Sequence, residues 1–179
     1  MAEDERGRRV VVGVDGSPGS LAALRRAAGE ARRTGAELLA VLAWEPPAGE
    51  FAHRRGAFPA PVEELRQEAC ARLLTALHTA FGDAGPGVPL QGIVARGAPG
   101  RALVESADRP EDLLVIGAGC RGRLRRALFP SVARYCLAHA VCPVLALPPS
   151  PLREDLAALR RRVSLRLPLD ARELTEGRS

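Results

Sequence analysis

The stretch from Val115 to Leu147 limits the fold most strongly, because two apolar strand patterns enclose a loop rich in glycine and arginine and a helix pattern. The first strand pattern, 112–116, ends at Gly117, and the second covers 143–147. A strand, a loop, a helix and a further strand make a βαβ unit with parallel strands. Such sheets bind ligands beyond the carboxyl ends of their strands, so the loop after Gly117 is a candidate binding element.

The composition of this loop suits an anion such as phosphate. Gly117, Gly119 and Gly122 let backbone N–H groups approach a ligand, and Ser131 can cap a helix whose amino end attracts negative charge. Arg121 and the arginines that follow it add forked donors suited to phosphate oxygens. The alternatives are an ordinary turn, a solvated basic loop and simple N-capping by Ser131.

A second candidate position lies at the end of the first strand pattern. The apolar run from Val10 to Gly16 closes on Asp15 and is followed by Ser17 and Pro18, which signal the start of a helix. Asp15 is therefore expected at the carboxyl edge of the sheet. Its carboxylate either contacts a ligand or forms a turn before Ser17.

Strand and helix periods alternate along the rest of the chain. A helix ends near Thr34-Gly35, a strand covers 38–43, and a long helix carries an apolar stripe from Val62 to Ala80. A third strand near 88–95 is expected at a sheet edge because Pro89 removes a ladder donor, and a short helix follows Pro99. The pattern predicts an α/β fold with a single doubly wound five-stranded parallel sheet, in strand order 3-2-1-4-5, with helices on both faces.

Proline marks the expected domain boundary. Residues 1–7 are predicted to be a flexible amino terminus, 8–148 an α/β domain, and 149–179 an arginine-rich, partly helical extension that begins after Pro148-Pro149. Within the extension, apolar residues recur at helical spacing. This stripe is expected to pack on the protein's own dimer, and the alternatives are that it binds a partner protein or shields the crevice at the carboxyl edge of the sheet.

Four motifs resemble those of the universal stress protein family: VGVDGS at 12–17, GxP at 97–99, DLLVIG at 112–117 and the SV…CPV pattern between 131 and 144. The resemblance covers roughly residues 8–148. It implies a five-stranded parallel α/β fold, dimers that pair through the last strand, and either of two branches. One branch binds ATP through a G-x2-G-x9-G-S/T motif after the fourth strand, and the other does not.

The resemblance also implies roles for single residues, with Mg²⁺ expected to accompany ATP. Asp15 and the backbone of Ala43 belong to the adenosine end, and Ile116 lines the pocket. The resemblance assigns Gly117, Ser131 and Val132 to the phosphates, and the composition of the loop adds Gly119, Arg121 and Gly122 as candidates.

The glycine motif itself is degraded. Laid without gaps from Gly117, it places Cys120 and Pro130 where glycines belong, and a register starting at Gly119 places Val132 at the third glycine. Pro130 cannot donate to phosphate, and a lost donor to a charged group costs about 1.5–3 kcal/mol, or roughly 10–150-fold in affinity. We therefore expect a stress-response regulator that binds ATP weakly or in altered form. The alternatives are a nucleotide-free dimeric interaction module and, third, a slow nucleotide hydrolase with Asp15 as its base.

Composition excludes several functions. The chain contains no lysine, which rules out a P-loop, a Schiff-base enzyme and a phosphorylated receiver domain. Its formal net charge is +5, but aromatic residues are only 3%, so nucleic acid is not expected as a partner. No serine or cysteine stands in a recognisable catalytic motif with histidine, which favours a binding protein over an enzyme.

The remaining expectations concern location and assembly. The amino terminus lacks an apolar signal region and no apolar run approaches roughly 18 residues, so a cytoplasmic protein without a membrane span is expected. Cys136, His139 and Cys142 recur every third residue but are expected to pack in the core rather than bind metal. The apolar strand 144–147 would leave an adhesive edge in a monomer, which predicts a homodimer.

Overall fold

The computed structural model describes residues 7–46, 61–117 and 132–148. The strands are β1 (Arg9–Gly13), β2 (Glu37–Trp44), β3 (Leu90–Arg96), β4 (Leu113–Gly117) and β5 (Val144–Leu147), and the helices are α1 (Pro18–Thr34), α2 (Val62–Phe81), α3 (Pro99–Ser106) and α4 (Val132–His139). One 3₁₀ turn, Gly82–Ala84, follows α2. The strands form a single parallel sheet in the order β3-β2-β1-β4-β5, which confirms the predicted topology.

The side chains of β1 alternate between two core layers, as a strand buried on both faces requires. Val10 and Val12 pack with α1 and α2, whereas Val11 packs with α3 and α4, and each of the three is at most 2% exposed. Fully burying such a side chain contributes about 1.5–3 kcal/mol. Helices therefore cover both faces of the sheet, and the carboxyl edge remains the place where loops meet.

Turn chemistry sets the ends of the elements. β1 stops at Gly13, earlier than the run of apolar residues suggested, because Gly16 adopts a φ of 79° and the chain turns into α1. α1 ends at Thr34 with Gly35 in the left-handed conformation, as predicted. β3 is an edge strand, also as predicted, and begins after Pro89, whose carbonyl accepts a hydrogen bond from Leu38 N at 2.9 Å.

Arginines tie α1 to the far end of α2. Arg25 donates to the carbonyls of Thr79 and Ala80 at 3.1 and 3.2 Å, and Arg32 donates to the carbonyl of Pro86. The last carbonyls of a helix lack partners within the helix, so Arg25 caps α2 from outside, whereas Arg32 holds the chain that follows the 3₁₀ turn. None of the helices in the described ranges combines the length and the apolar character needed to cross a membrane.

An ion pair closes the amino end of the sheet. Arg9 donates to both carboxylate oxygens of Asp112, at 3.0 and 2.6 Å, and the Asp112 side chain is fully buried. The same guanidinium donates to Asp108 at 2.6 Å, but that side chain is 64% exposed. Its bond to Asp112, with a smaller contribution from Asp108, raises the pKa of Arg9 above its ordinary value. Arg9 thus joins β1 to the segment that leads into β4.

Two free thiols, one within α4 and one shortly after it, lie in the core. Cys136 and Cys142 are buried, whereas His139 is exposed and its Nδ1 lies 2.9 Å from the carbonyl oxygen of Tyr135. Burial raises the pKa of the Cys136 thiol to about 11, so it stays protonated at neutral pH. Across the described ranges no cluster of three or more metal-ligating side chains occurs. The two cysteines contribute apolar packing, as expected from the sequence, whereas the core position expected for His139 was wrong because that residue lies on the outer face of α4.

Candidate functional site

Asp15 lies where β1 turns into α1, at the carboxyl edge of the sheet. Its Oδ1 accepts a hydrogen bond from Ser17 N at 2.8 Å, and the residue is exposed. Ser17 in turn caps α1, because its Oγ accepts from Ser20 N at 3.2 Å, and Pro18 occupies the first turn. Asp15 therefore forms the turn before Ser17, which was one of the two roles that the sequence left open. This turn fixes the carboxylate beside the positive end of α1.

The backbone of Ala43 faces the same region. Val14 N donates to the carbonyl of Val41 at 2.8 Å, so the peptide groups of Val41 point toward β1. In a strand this direction repeats every second residue, so the N–H and C=O of Ala43 also point toward the β1 side. β1 has already ended at that level, since Gly13 pairs with Val41. The donor and acceptor of Ala43 consequently face the space beyond β1, on the side of Asp15.

Gly117, the last residue of β4, lies against the first turn of α1. A Cβ atom added at Gly117 would be 2.7 Å from the carbonyl oxygen of Gly19 and 3.3 Å from Ser20 N. Such distances exclude any larger residue unless the backbone moves. The sequence interpretation attributed this glycine to phosphate binding, but close packing of β4 on α1 is sufficient to require it. The contact brings the ends of β1 and β4 together at one edge.

Ile116 lies next to Gly117 at the end of β4. Its side chain is 2% exposed and packs in the core layer with Leu103 and Cys136. The alternation of β4 accounts for this, because Leu114 and Ile116 point to one face of the sheet and Val115 to the other.

The other candidates concern the segment after β4. Val132 is half-buried at the start of α4, with its amino end at the same edge as Asp15. Gly119, Arg121, Gly122 and Ser131 lie outside the described residues, as do Cys120 and Pro130.

A groove at the ends of β2 and β3 was not anticipated from the sequence. Its volume is about 670 Å³, and it is lined by Glu45, Arg96, Gly97, Ala98, Arg101, Ala102 and Glu105. The guanidinium of Arg96 lies 5.7 Å from the centre of the Trp44 ring, and Arg101 pairs with Glu105 at 2.6 Å. Gly97 has a φ of 131° and donates to the carbonyl of Trp44 at 2.8 Å, which accounts for the glycine of the GxP motif. Two carboxylates and two guanidinium groups line the groove, which continues the polar carboxyl edge of the sheet past Ala43.

Comparison with known proteins identifies the family of this chain. The model of the universal stress protein family matches residues 7–148, which include the whole sheet. This chain belongs to that family. A universal stress protein of Mycobacterium tuberculosis is 34% identical over 136 residues, which are 76% of this chain and 44% of that protein. The chain therefore spans about half the length of such curated relatives.

Solved structures of other family members share the fold. One is a universal stress protein in complex with cAMP, which is 30% identical, has a TM-score of 0.52, and is matched over 82% of this chain and 100% of that one. Another is a universal stress protein family member from Arabidopsis thaliana with AMP bound, at 18% identity and a TM-score of 0.54, matched over 82% of this chain and 94% of that one. The second likeness bears on the fold alone.

Proposed function

We propose that this universal stress protein is a stress-response regulator that binds an adenine nucleotide at the carboxyl end of its sheet. The observation that carries the proposal is the placement of Asp15 at the end of β1, on the side toward which the main chain of Ala43 faces. A peptide N–H can donate to a ring nitrogen of adenine, and a neighbouring C=O can accept from its amino group. The 30% identical relative that binds cAMP supports the same ligand class.

Charge decides which part of the ligand would meet Asp15. A carboxylate repels phosphate and accepts hydrogen bonds from hydroxyl or amino groups, so we assign Asp15 to the adenosine end. Phosphates would then lie toward Gly117, Val132 and the intervening loop, with Gly119, Arg121, Gly122 and Ser131 as the proposed contacts from the sequence. Mg²⁺ would enter only with ATP, held by the phosphates.

Affinity for ATP is expected to be lower than an intact glycine motif would give, because Pro130 lacks an N–H and Cys120 replaces a glycine. The same two residues favour the second candidate function, a nucleotide-free interaction module. Cytoplasmic location, and a separate role for 149–179 in binding a partner, remain predictions from the sequence.

We expect Asp15→Ala to weaken binding of ATP or cAMP at least about tenfold, because it removes a charged acceptor. Calorimetric titration of nucleotide-stripped protein, with and without Mg²⁺, measures this. Asp15→Asn separates the turn role of this residue from its charge, because the amide oxygen can still accept from Ser17 N while the negative charge is lost. Asp83→Ala, in the exposed 3₁₀ turn, is the matched control and should bind as the wild type does.

Two results would count against nucleotide binding at this site. Equal affinities of wild-type protein and Asp15→Ala would place the ligand elsewhere. Absence of heat at millimolar ATP and cAMP would favour the nucleotide-free module.

We further propose a homodimer through β5, the edge strand next to β4. Leu114 N donates to the carbonyl of Pro143 at 2.9 Å, so every second residue of β5 from Pro143 faces β4, and Val144 and Ala146 present their peptide groups outward. Exposed Leu137 and Val141, at 62% and 61%, add apolar surface near this strand.

A proline at an outward-facing position tests the dimer. Ala146→Pro removes one outward N–H without removing a β4–β5 hydrogen bond, so we expect the dimer to dissociate while the fold persists. Light scattering at micromolar concentration measures the mass, and circular dichroism checks the fold. A wild-type monomer would contradict the proposal, as would an Ala146→Pro dimer of unchanged affinity.

A further inference from the structure

Helices α3 and α4 pack closely at Gly100. Gly100 is buried in the first turn of α3, and a Cβ atom placed there would lie 2.9 Å from the Cβ, Cγ and Cδ1 atoms of Tyr135 on α4. Gly100 has a helical backbone that any residue could adopt, so the requirement for glycine comes from space and not from conformation. The missing side chain lets the tyrosine ring lie directly on the α3 backbone.

Further contacts hold α4 at this position. The Sγ atom of Cys136, the next residue, lies 3.9 Å from the carbonyl oxygen of Gly100. The Tyr135 ring stacks on His139, with ring centres 4.2 Å apart and planes inclined by 16°. Tyr135 is therefore confined between α3 on one side and the last turn of its own helix on the other.

Of the two helices, α3 is the better anchored. It buries Gly100, Ala102 and Leu103 among its eight residues, and the Leu103 side chain packs against Gly13 of β1. The hydrogen bond from Gly97 to Trp44 also holds the chain just before α3. In α4 only Cys136 is buried. A steric conflict between the two helices would therefore displace α4.

We propose that Gly100 is a positioning residue for the nucleotide site. Because Gly100 leaves room for the Tyr135 ring, it determines how far α4 lies from the sheet. That distance determines the positions of the backbone N–H groups of Val132 and Ala133 at the amino end of α4. This inference rests on the proposed function, in which that end faces the phosphates. Gly100 itself contacts no ligand and acts only through the position of α4.

Gly100→Ala tests the proposal, because the new methyl group requires Tyr135 to retreat by at least about 0.6 Å to reach ordinary contact distance. Hydrogen bonds weaken steeply with distance and misalignment. We therefore expect ATP affinity to fall roughly tenfold, as for the loss of one donor to a charged group.

The first measurement needs no nucleotide. Outside the immediate surroundings of residues 100 and 135, the amide chemical shifts of ligand-free Gly100→Ala, relative to the wild-type full chain, should change most at Val132 and Ala133 and little at Val14 and Asp15, which lie on the other side of the site. Changes confined to α3 would overturn the proposal. If the wild-type chain proves not to bind ATP or cAMP, the proposed function fails, and this measurement alone still decides whether Gly100 positions α4.

The second measurement compares nucleotide affinity with stability. Gly29→Ala is the steric control, because a Cβ there would have its nearest neighbour 4.0 Å away, and it should bind normally. Leu73→Ala is the stability control, since Leu73 is buried in the opposite core layer. If Gly100→Ala and Leu73→Ala lose equal stability and equal affinity, the positioning role is refuted.

A variant on the other helix covers the case in which Gly100→Ala does not fold. Tyr135→Ala removes the ring that rests on Gly100, and it should also weaken ATP binding, whereas Tyr135→Phe keeps the ring contact and should bind normally. Equal affinity of Tyr135→Ala and the wild type would contradict the proposal.

Discussion

Replacing Asp112 with alanine is expected to lower the free energy of unfolding by about 3–5 kcal/mol, because it leaves the guanidinium of Arg9 without its buried partner. The carboxylate accepts two hydrogen bonds from Arg9 and one from the backbone N–H of Arg109 at 3.3 Å. Chemical denaturation monitored by Trp44 fluorescence measures the loss. Replacing both partners together, as Arg9→Met with Asp112→Leu, should recover part of it, since no charge is then stranded.

Asp108 provides the matched control. It contacts the same nitrogen of Arg9 at the same distance of 2.6 Å, but its side chain is 64% exposed whereas that of Asp112 is 0% exposed. Exposed ion pairs contribute about 0–1 kcal/mol, so Asp108→Ala should cost far less than Asp112→Ala. Equal costs would mean that distance, and not burial, determines the strength of this cluster.

The Asp108 pair also predicts a pH dependence. Its hydrogen bond to Arg9 lowers the pKa of Asp108 below the ordinary value of 3.8. The folded state therefore holds this proton less tightly than the unfolded state, so the stabilisation is present above that value and is lost as the pH falls through the lowered pKa. The acid limb of the stability profile should become less steep in Asp108→Ala.

Gly117→Ala is expected to cost about 3 kcal/mol, near the upper end for overpacking. The added methyl group would lie 2.7 Å from a backbone oxygen in α1, and neither element can yield without disturbing the core. The same change should weaken nucleotide binding, because it separates β4 from the end of α1 beside Asp15. Thermal unfolding and ATP titration measure the two effects.

Gly13→Ala tests whether the cost in stability of an added methyl group depends on what the group meets, a side chain that can rotate or a fixed backbone. A Cβ atom at Gly13 would lie 2.9 Å from the Cδ1 atom of Leu103, which is the end of a side chain that can rotate. We expect a cost of about 1 kcal/mol, at the lower end of overpacking. If Gly13→Ala proved as costly as Gly117→Ala, the rigid contact between β4 and α1 would not be the cause.

Local patterns were sufficient to predict much of the architecture. The apolar run at Val10 indicated a strand, Ser17-Pro18 and Gly35 marked the ends of α1, and Pro89 indicated an edge. Each of these signals depends on residues close together in the chain, where backbone geometry limits the choices. The order of the strands followed from right-handed crossovers combined with the family motifs.

Contacts between distant segments could not be predicted in the same way. The approach of Gly117 to Gly19 and of Gly100 to Tyr135 depends on how closely two elements pack, which no single segment records. The burial of Ile116 is a related case. The strand alternation directs its side chain into the core layer that it shares with α3 and α4.

The central position of β1 has a consequence for synthesis. β1 is the first strand of this domain to leave the ribosome, and one of its edges pairs with β2, which follows soon after. The other edge stays unpaired until β4 is made. β4 begins roughly 70 residues after the end of β2, which corresponds to about 4–15 s at ordinary rates of translation. Over that interval the nascent chain carries a valine-rich strand with one open edge, the kind of surface that chaperones protect from aggregation.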